Sequence, residues 1–306
     1  MQTQTEQPYV AVIGASNIDI MGTMTGEAIS GDSNPGKLQT SSGGVARNIA
    51  ENLAHLGTAT ELISAFGNDG WSDLITQHCK ALGIGISHSV LDPNMRTSSY
   101  LSVHDKSGEL ITAISDMAIL DGLNAETLSE RLQVLQAAAC WVIDANLSAD
   151  ALEFLFSCSA KIPIFIDPVS VTKAQRLRPY LSKIHCITPN LQEASMLSGV
   201  AADTYHQAPE VATELHKKGV SNVMITLGKQ GAFASDGRSE HWLAAEASEV
   251  VNVTGCGDAA CAALVHGFVS GVPWHTSCEL AMSAAALTAS SSDSNTHLLG
   301  KLGKHP

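Results

Sequence analysis

Asp258 closes the segment Asn252-Val-Thr-Gly-Cys-Gly-Asp258 and is followed by the small-residue run Ala259-Ala-Cys-Ala-Ala263. The pattern predicts a strand end, a glycine turn and the start of a closely packed helix. Gly255 and Gly257 permit a sharp turn and a close approach of backbone to ligand. The N–H groups of Gly255, Cys256 and Gly257 would face an anion with the helix dipole behind them. A carboxylate beside an anion site has a chemical use. It can take a proton from a hydroxyl while the amides stabilise a phosphoryl group in transit. The dipole alone also favours an Asp in a first helical turn, so a structural role stands beside the chemical one.

Four other segments carry residues of the same kind. Asn17 and Asp19 lie just beyond the first predicted strand, where ligands collect in open α/β sheets. Two residues apart on an extended segment, they point the same way and can hold vicinal hydroxyls, or close an Asx turn. Ser42-Gly43-Gly44-Val45-Ala46-Arg47-Asn48 leads into a helix. The paired glycines allow backbone contact with a ligand, although the segment also reads as a plain helix entry and is neither a Walker A nor a GxGxxG fingerprint. Thr188-Pro-Asn190-Leu-Gln-Glu193 puts Asn190 and Glu193 on one helical face. They can position magnesium-bound water or nucleotide phosphates, or form a capping box. Thr226-Leu-Gly228-Lys-Gln-Gly231 ends a strand and either floors a nucleotide pocket or turns the chain. The loop Ser290–Asn295 would complete an adenine pocket.

The elements that must position these groups alternate. Buried strands are predicted at Tyr9–Gly14, Thr60–Ser64, Cys140–Ile143, Ile164–Ile166, Cys186–Ile187 and Asn222–Ile225. Helices are predicted at Val45–Leu56, Ser72–Leu82, Ala125–Leu135, Ala149–Cys158, Gln192–Leu197, Pro209–Lys218 and Asp258–Val269. The alternation indicates one domain over residues 1–306, an α/β fold with a doubly wound, mostly parallel sheet flanked by helices. Residues 18–40 and 96–115 instead alternate polar and apolar, and Asp105-Lys-Ser-Gly108 is a hairpin turn. They predict a small antiparallel sheet, which would serve as a lid, an edge hairpin or a dimer interface.

The net charge of −13 argues against nucleic acid or an anionic membrane as partner. With no run of 18 apolar residues and no leader pattern at Met1–Val10, a cytoplasmic protein is expected. Seven scattered cysteines form no CxxC pair, and twelve histidines form no HExxH, so a caged transition metal is not expected.

Taken in order, Asp19, Gly43-Gly44 with Asn48, Asn190 with Glu193, Thr226–Gly231 and Thr254–Asp258 resemble the ribokinase, or PfkB-type, carbohydrate kinases over nearly the whole chain. The resemblance implies a ribokinase-like fold with a β-sheet lid, and a kinase using ATP and Mg²⁺. It implies that Asp258 is the catalytic base and that Gly255, Cys256 and Gly257 form the anion hole. Asn17, Asp19, Gly43, Gly44 and Asn48 would hold the sugar. Asn190, Glu193, Thr226, Gly228 and Gly231 would serve ATP, with Glu193 reaching the metal indirectly. A K⁺ site is implied near Asn252 and Thr254, although Asn252 replaces the family's usual Asp. Cys256 replaces the usual Ala, and no counterpart of a common adenine-side Asn is found near Met282. Relatives of this kind also form homodimers through the lid.

Within the family, Asp32–Lys37, Gly43–Ala50, Thr97–Leu101, Ser115–Met117, Ile166–Ser170 and Asn252–Gly255 look like bacterial pseudouridine kinases. That implies transfer to the 5′-hydroxyl of pseudouridine, with Lys37, Arg47, Thr97 and Ser99 as candidates for reading the base. Two alternatives stay open: a kinase for ribose, another nucleoside or another sugar, and a non-catalytic binding protein on the same fold.

Overall fold

A computed structural model describes residues 8–246 and 250–303. Most of the segment read for a leader, residues 1–7, lies outside that range.

The strands in chain order are β1 (Val10–Ile13), β2 (Asn17–Met24), β3 (Gly36–Gly43), β4 (Thr60–Ile63), β5 (Ala65–Gly67), β6 (Val90–Asp92) and β7 (Ser99–His104). They continue with β8 (Leu110–Asp116), β9 (Cys140–Asp144), β10 (Ile164–Asp167), β11 (Cys186–Ile187), β12 (Asn222–Thr226), β13 (Ala232–Ser235) and β14 (Glu240–Leu243). The helices are α1 (Val45–His55), α2 (Gly70–Ala81), α3 (Ala125–Ser129), α4 (Leu132–Ala137) and α5 (Ala149–Cys158). After them come α6 (Val171–Ala174), α7 (Leu191–Ser198), α8 (Ala208–Lys217), α9 (Cys256–Val269) and α10 (Trp274–Ala289).

The main sheet runs β14-β13-β12-β11-β10-β9-β1-β4 and is parallel from β4 to β12. Its central strands are apolar on both faces because helices cover both faces. Ala11, Ile13, Trp141, Ile143 and Ile166 face the helices α3 to α8, whereas Val10, Val12, Val142 and Phe165 face α1, α2, α9 and α10. Alternate residues of each strand therefore feed two separate cores, as a doubly wound sheet requires. The antiparallel strands β13 and β14 and the long helix α10 carried no expectation. Helix α10 lies close against α9 at Gly267, where any Cβ would overlap Ser277 Oγ.

Two expectations are corrected. The helix expected over Ala125–Leu135 is broken into α3 and α4, with Arg131 out of helical geometry at φ −101° and ψ 4°. The Arg131 guanidinium is held by the carbonyls of His88 and Thr127, and Asn124 caps α3 separately. The lid is a separate sheet ordered β3-β2-β7-β8, but it is mixed rather than antiparallel. Strands β2 and β7 run parallel, and each has an antiparallel neighbour, β3 or β8. The turn at Asp105–Gly108 forms as expected, with Asp105 Oδ1 accepting from Ser107 N and Glu109 N at 2.8 and 2.9 Å.

Candidate active site

The site is assembled at the carboxyl edge of the parallel sheet, where the chain leaves β1, β9 and β10. Gly44 precedes α1 with φ +96°, and a Cβ there would stand 2.5 Å from Ala15 O. At Gly43 a Cβ would overlap the Asp19 carboxylate. The double glycine thus lets the α1 entry fold down between the end of β1 and the start of the lid. Asn17 Nδ2 donates to Asp19 Oδ1 at 2.7 Å, which orients that carboxylate. Burial pushes the Asp19 carboxyl up, against the Asn17 hydrogen bond and the Arg47 charge.

Asn48, on the first turns of α1, donates from Nδ2 to Asp258 Oδ2 at 2.7 Å. Asp258 lies in the first turn of α9, whose entry residue Gly255 adopts φ +83°. Gly255 admits no side chain, because a Cβ would overlap Ser294 O, whereas the Cβ position of Gly257 faces open space. Cys256, Gly257 and Asp258 present first-turn N–H groups without intrahelical acceptors, although Cys256 N reaches Val253 O at 3.4 Å.

The Asp258 carboxyl is pushed up to about 7. Burial is the main cause. The Asn48 hydrogen bond opposes it, the Asp144 charge adds to it, Arg47 opposes and Asp19 adds. A carboxylate titrating near neutrality suits a general base.

Two further carboxylates were missed in the sequence reading. Asp144, at the end of β9, accepts from Ala15 N at 2.8 Å, Ala46 N at 3.0 Å and Asn146 N at 2.9 Å. It bolts β1 to the start of α1. Asp167, beside it at the end of β10, accepts from Val169 N at 2.8 Å. Burial pushes both up, and the Asp258 charge pushes Asp167 further. Their position directly after two predicted buried strands was the available signal.

Arg47, a candidate for reading the base, has its guanidinium engaged by protein groups at the wall of the site. It is 2% exposed and turned inward, donating from Nε to Gly43 O at 3.1 Å and from Nη2 to Ser42 O at 2.9 Å and Asn295 Oδ1 at 3.0 Å. Its other nitrogen pairs with Glu51. Asn295 Nδ2 in turn donates to Asn48 O at 2.9 Å and Asn52 Oδ1 at 3.0 Å, so the loop after α10 is tied to α1.

A cavity of about 900 Å³ lies between lid and core. Asp19, Met21, Tyr100, Ser102 and His104 line it from the lid, and Arg47, Thr254 and Asn295 from the core. Three residues expected at the substrate lie elsewhere. Thr97 is buried, with Oγ1 donating to Asp69 Oδ1 at 2.8 Å and accepting from Gly67 N at 3.0 Å. Ser99 falls on the opposite side of β7 from Tyr100, because strand parity alternates. Lys37 is exposed on β3 outside the cavity lining. Thr97→Val should therefore lower stability by about 1–2 kcal/mol and leave the acceptor KM unchanged, which thermal melting and steady-state kinetics would check.

On the far side, Asn190 caps α7. Its Oδ1 accepts from Glu193 N, and Glu193 Oε2 accepts from Asn190 N, both at 2.9 Å. The capping-box reading is thus realised in this geometry. Burial pushes the Glu193 carboxyl up, against the Asn190 hydrogen bonds. Thr226 N donates to Pro189 O at 2.9 Å, which sets Thr226 beside Asn190. Gly228 has φ +58°, and at Gly231, with φ +89°, a Cβ would overlap Leu243 O. Asn252 Oδ1 accepts from Thr254 N at 2.9 Å and its Nδ2 donates to Ser292 O at 3.2 Å, so the turn before α9 is braced against the loop after α10. Among the described residues no three His, Cys, Asp or Glu side chains converge as a metal cage, and no helix is long and apolar enough to cross a membrane.

Residues 7–299 match the pfkB family carbohydrate kinase model. The chain is 37% identical to the pseudouridine kinase of Escherichia coli (strain K12), over 93% of this chain and 91% of that protein. It is 29% identical to the guanosine-inosine kinase of Exiguobacterium acetylicum, over 93% and 95% of the two chains. Among solved structures, a putative sugar kinase from Clostridium perfringens superposes with a TM-score of 0.87 at 30% identity, covering 98% of this chain and 96% of the other. Arabidopsis thaliana ribokinase complexed with ribose and ATP shares the fold, with a TM-score of 0.86 at 22% identity, covering 98% of this chain and 100% of that one.

Proposed function

We propose, from the premise that this chain belongs to the pfkB family of carbohydrate kinases and is a phosphotransferase acting on an alcohol group, that it transfers the γ-phosphoryl group of ATP to the 5′-hydroxyl of pseudouridine. The observation that carries the chemistry is the buried Asp258, titrating near neutrality at the entry of α9 and hydrogen-bonded to Asn48. Choice of pseudouridine as acceptor is supported by the identity to the Escherichia coli pseudouridine kinase.

In this reading Asn17, Asp19, Gly43, Gly44 and Asn48 hold the ribose. Asp258 removes the 5′-hydroxyl proton as that oxygen attacks phosphorus in line and the bond to the leaving ADP oxygen breaks. The N–H groups of Gly255, Cys256 and Gly257 face the charge on the transferring group. Asn190, Glu193, Thr226, Gly228 and Gly231 form the nucleotide side. The donor set fits a divalent metal held through water and phosphate rather than caged by the protein, because the nearby carboxylates are few and mostly committed to backbone amides. Magnesium, when bound with the nucleotide, neutralises phosphate charge, and Glu193 would hold its water. A potassium ion would sit near Asn252 and Thr254. Closure of the lid would exclude water from the reacting groups.

The lid face away from the cavity exposes Leu38 and Ile114, at 77% and 62%, which supports a homodimer formed through it. All seven cysteines are free thiols, in keeping with a cytoplasmic setting.

The deciding experiment is ATP- and magnesium-dependent phosphorylation of pseudouridine, with uridine, ribose, adenosine and inosine run beside it and the product located by position. Preference for pseudouridine at the 5′ position is expected. Preference for another of these acceptors would discard the substrate and keep the phosphotransferase.

A further inference from the structure

Tyr100, Ser102 and His104 alternate along β7 and share its cavity face. The register pairs Asp19 with Tyr100 and Met21 with Ser102. Moving from the first pair to the second advances two residues, about 7 Å, which is the offset between a ribose and the far edge of its base. With Asp19 at the sugar, the base comes to lie against Met21 and Ser102.

The direction of the hydrogen bonds at Ser102 follows from its neighbours. His104 Nδ1 is 3.0 Å from Gly108 O. A carbonyl only accepts, so Nδ1 carries the hydrogen, and the neutral imidazole then presents Nε2 as an acceptor. Nε2 is 3.1 Å from Ser102 Oγ. The hydroxyl hydrogen of Ser102 is spent on that nitrogen, and what remains on Oγ is lone pairs. Gly108 is itself fixed in the hairpin turn, its N donating to Asp105 O at 3.0 Å. The chain from Ser102 through His104 to Gly108 therefore runs in one direction.

We infer that Ser102 is a specificity-determining acceptor that reads an N–H on the nucleobase, with His104 as the residue that positions its hydroxyl. The inference rests on the nucleoside reading above. Pseudouridine and uridine have the same outline, because the uracil ring is attached through C5 in one and through N1 in the other. The edge atom that is C5–H in uridine is N1–H in pseudouridine. An acceptor fixed at that edge pairs with the N–H and is left unpaired against the C–H. A hydroxyl free to rotate would serve either base less selectively.

The test compares kcat/KM for pseudouridine and uridine in the wild-type protein, Ser102→Ala, His104→Ala and the double variant, with melting curves for each. In Ser102→Ala the ratio of the two constants should fall roughly 10- to 100-fold, because pseudouridine loses more than uridine. His104→Ala should lower the ratio part of the way, and the double variant should fall no further than Ser102→Ala. If the alanine variant unfolds, Ser102→Cys keeps the volume, weakens the acceptor and should give the same fall. A ratio unchanged in Ser102→Ala, or equal losses on both acceptors, overturns the inference while the kinase assignment stands. Wild-type protein that phosphorylates another acceptor but not pseudouridine overturns the substrate reading and this inference with it.

Discussion

Asp258→Asn should lower kcat by roughly 10²–10⁴-fold and make the protein more stable at pH 8. Both effects have one origin. Burial and the neighbouring Asp144 hold the Asp258 carboxyl at about 7, against an Asn48 hydrogen bond that favours the charged form. In the unfolded chain the same group titrates near 3.9. Its folded value is the higher one, so its contribution to stability is intact below about pH 4. That contribution is lost as pH rises through 7. Above that pH the charged carboxylate costs on the order of a few kcal/mol, which a neutral Asn does not. The stability gain of the variant should therefore be present at pH 8 and shrink towards pH 4. Thermal melting at several pH values would measure it. In the parent enzyme, kcat/KM should rise with pH along an acid limb near 7, and Asn48→Ala, which removes the donor to Asp258, should move that limb upward. Full turnover in a folded Asp258→Asn protein would sink the assignment of the base.

Arg47→Met should have the largest effect on stability, a loss of roughly 3–5 kcal/mol. The guanidinium is buried, pairs with Glu51 and donates to Ser42 O, Gly43 O and Asn295 Oδ1. Removing it leaves Glu51 charged inside the protein. Burial works to push the Glu51 carboxyl up, but His55, Arg47 and His78 together hold it at about 2. The two histidines remain in the variant and offset part of the loss. The double variant Arg47→Met with Glu51→Met should recover most of the stability, because no unpaired charge is left. It should not recover the acceptor KM, because the loop at Asn295 and the glycine turn stay untied. Melting curves and acceptor kinetics on the three proteins separate the two roles. A single variant that melts like the parent would contradict the burial and pairing of Arg47.

Some of this protein is written locally along its chain. Gly43, Gly44 and Gly255 announce backbone turns, because only glycine tolerates those geometries or approaches. The apolar runs of β1, β9 and β10 declare strands covered on both faces. Asp258 is legible as a residue of chemical interest from its immediate neighbours, and the order of the motifs carries the family. Other features depend on partners far away in sequence. The Asn48–Asp258 hydrogen bond spans 210 residues, and Asp144 is held by amides 98 and 129 residues away. No local pattern tells whether Arg47 points outward to a ligand or inward to Glu51. On β7 a single step of strand parity removes Ser99 from the cavity and puts Ser102 into it. Residue type and spacing determined the sheet, the glycine turns and the placing of a carboxylate, Asp258, at the entry of a helix. Only the packing of lid, sheet and helices decided which polar groups are desolvated together, and hence which carboxylate titrates near neutrality.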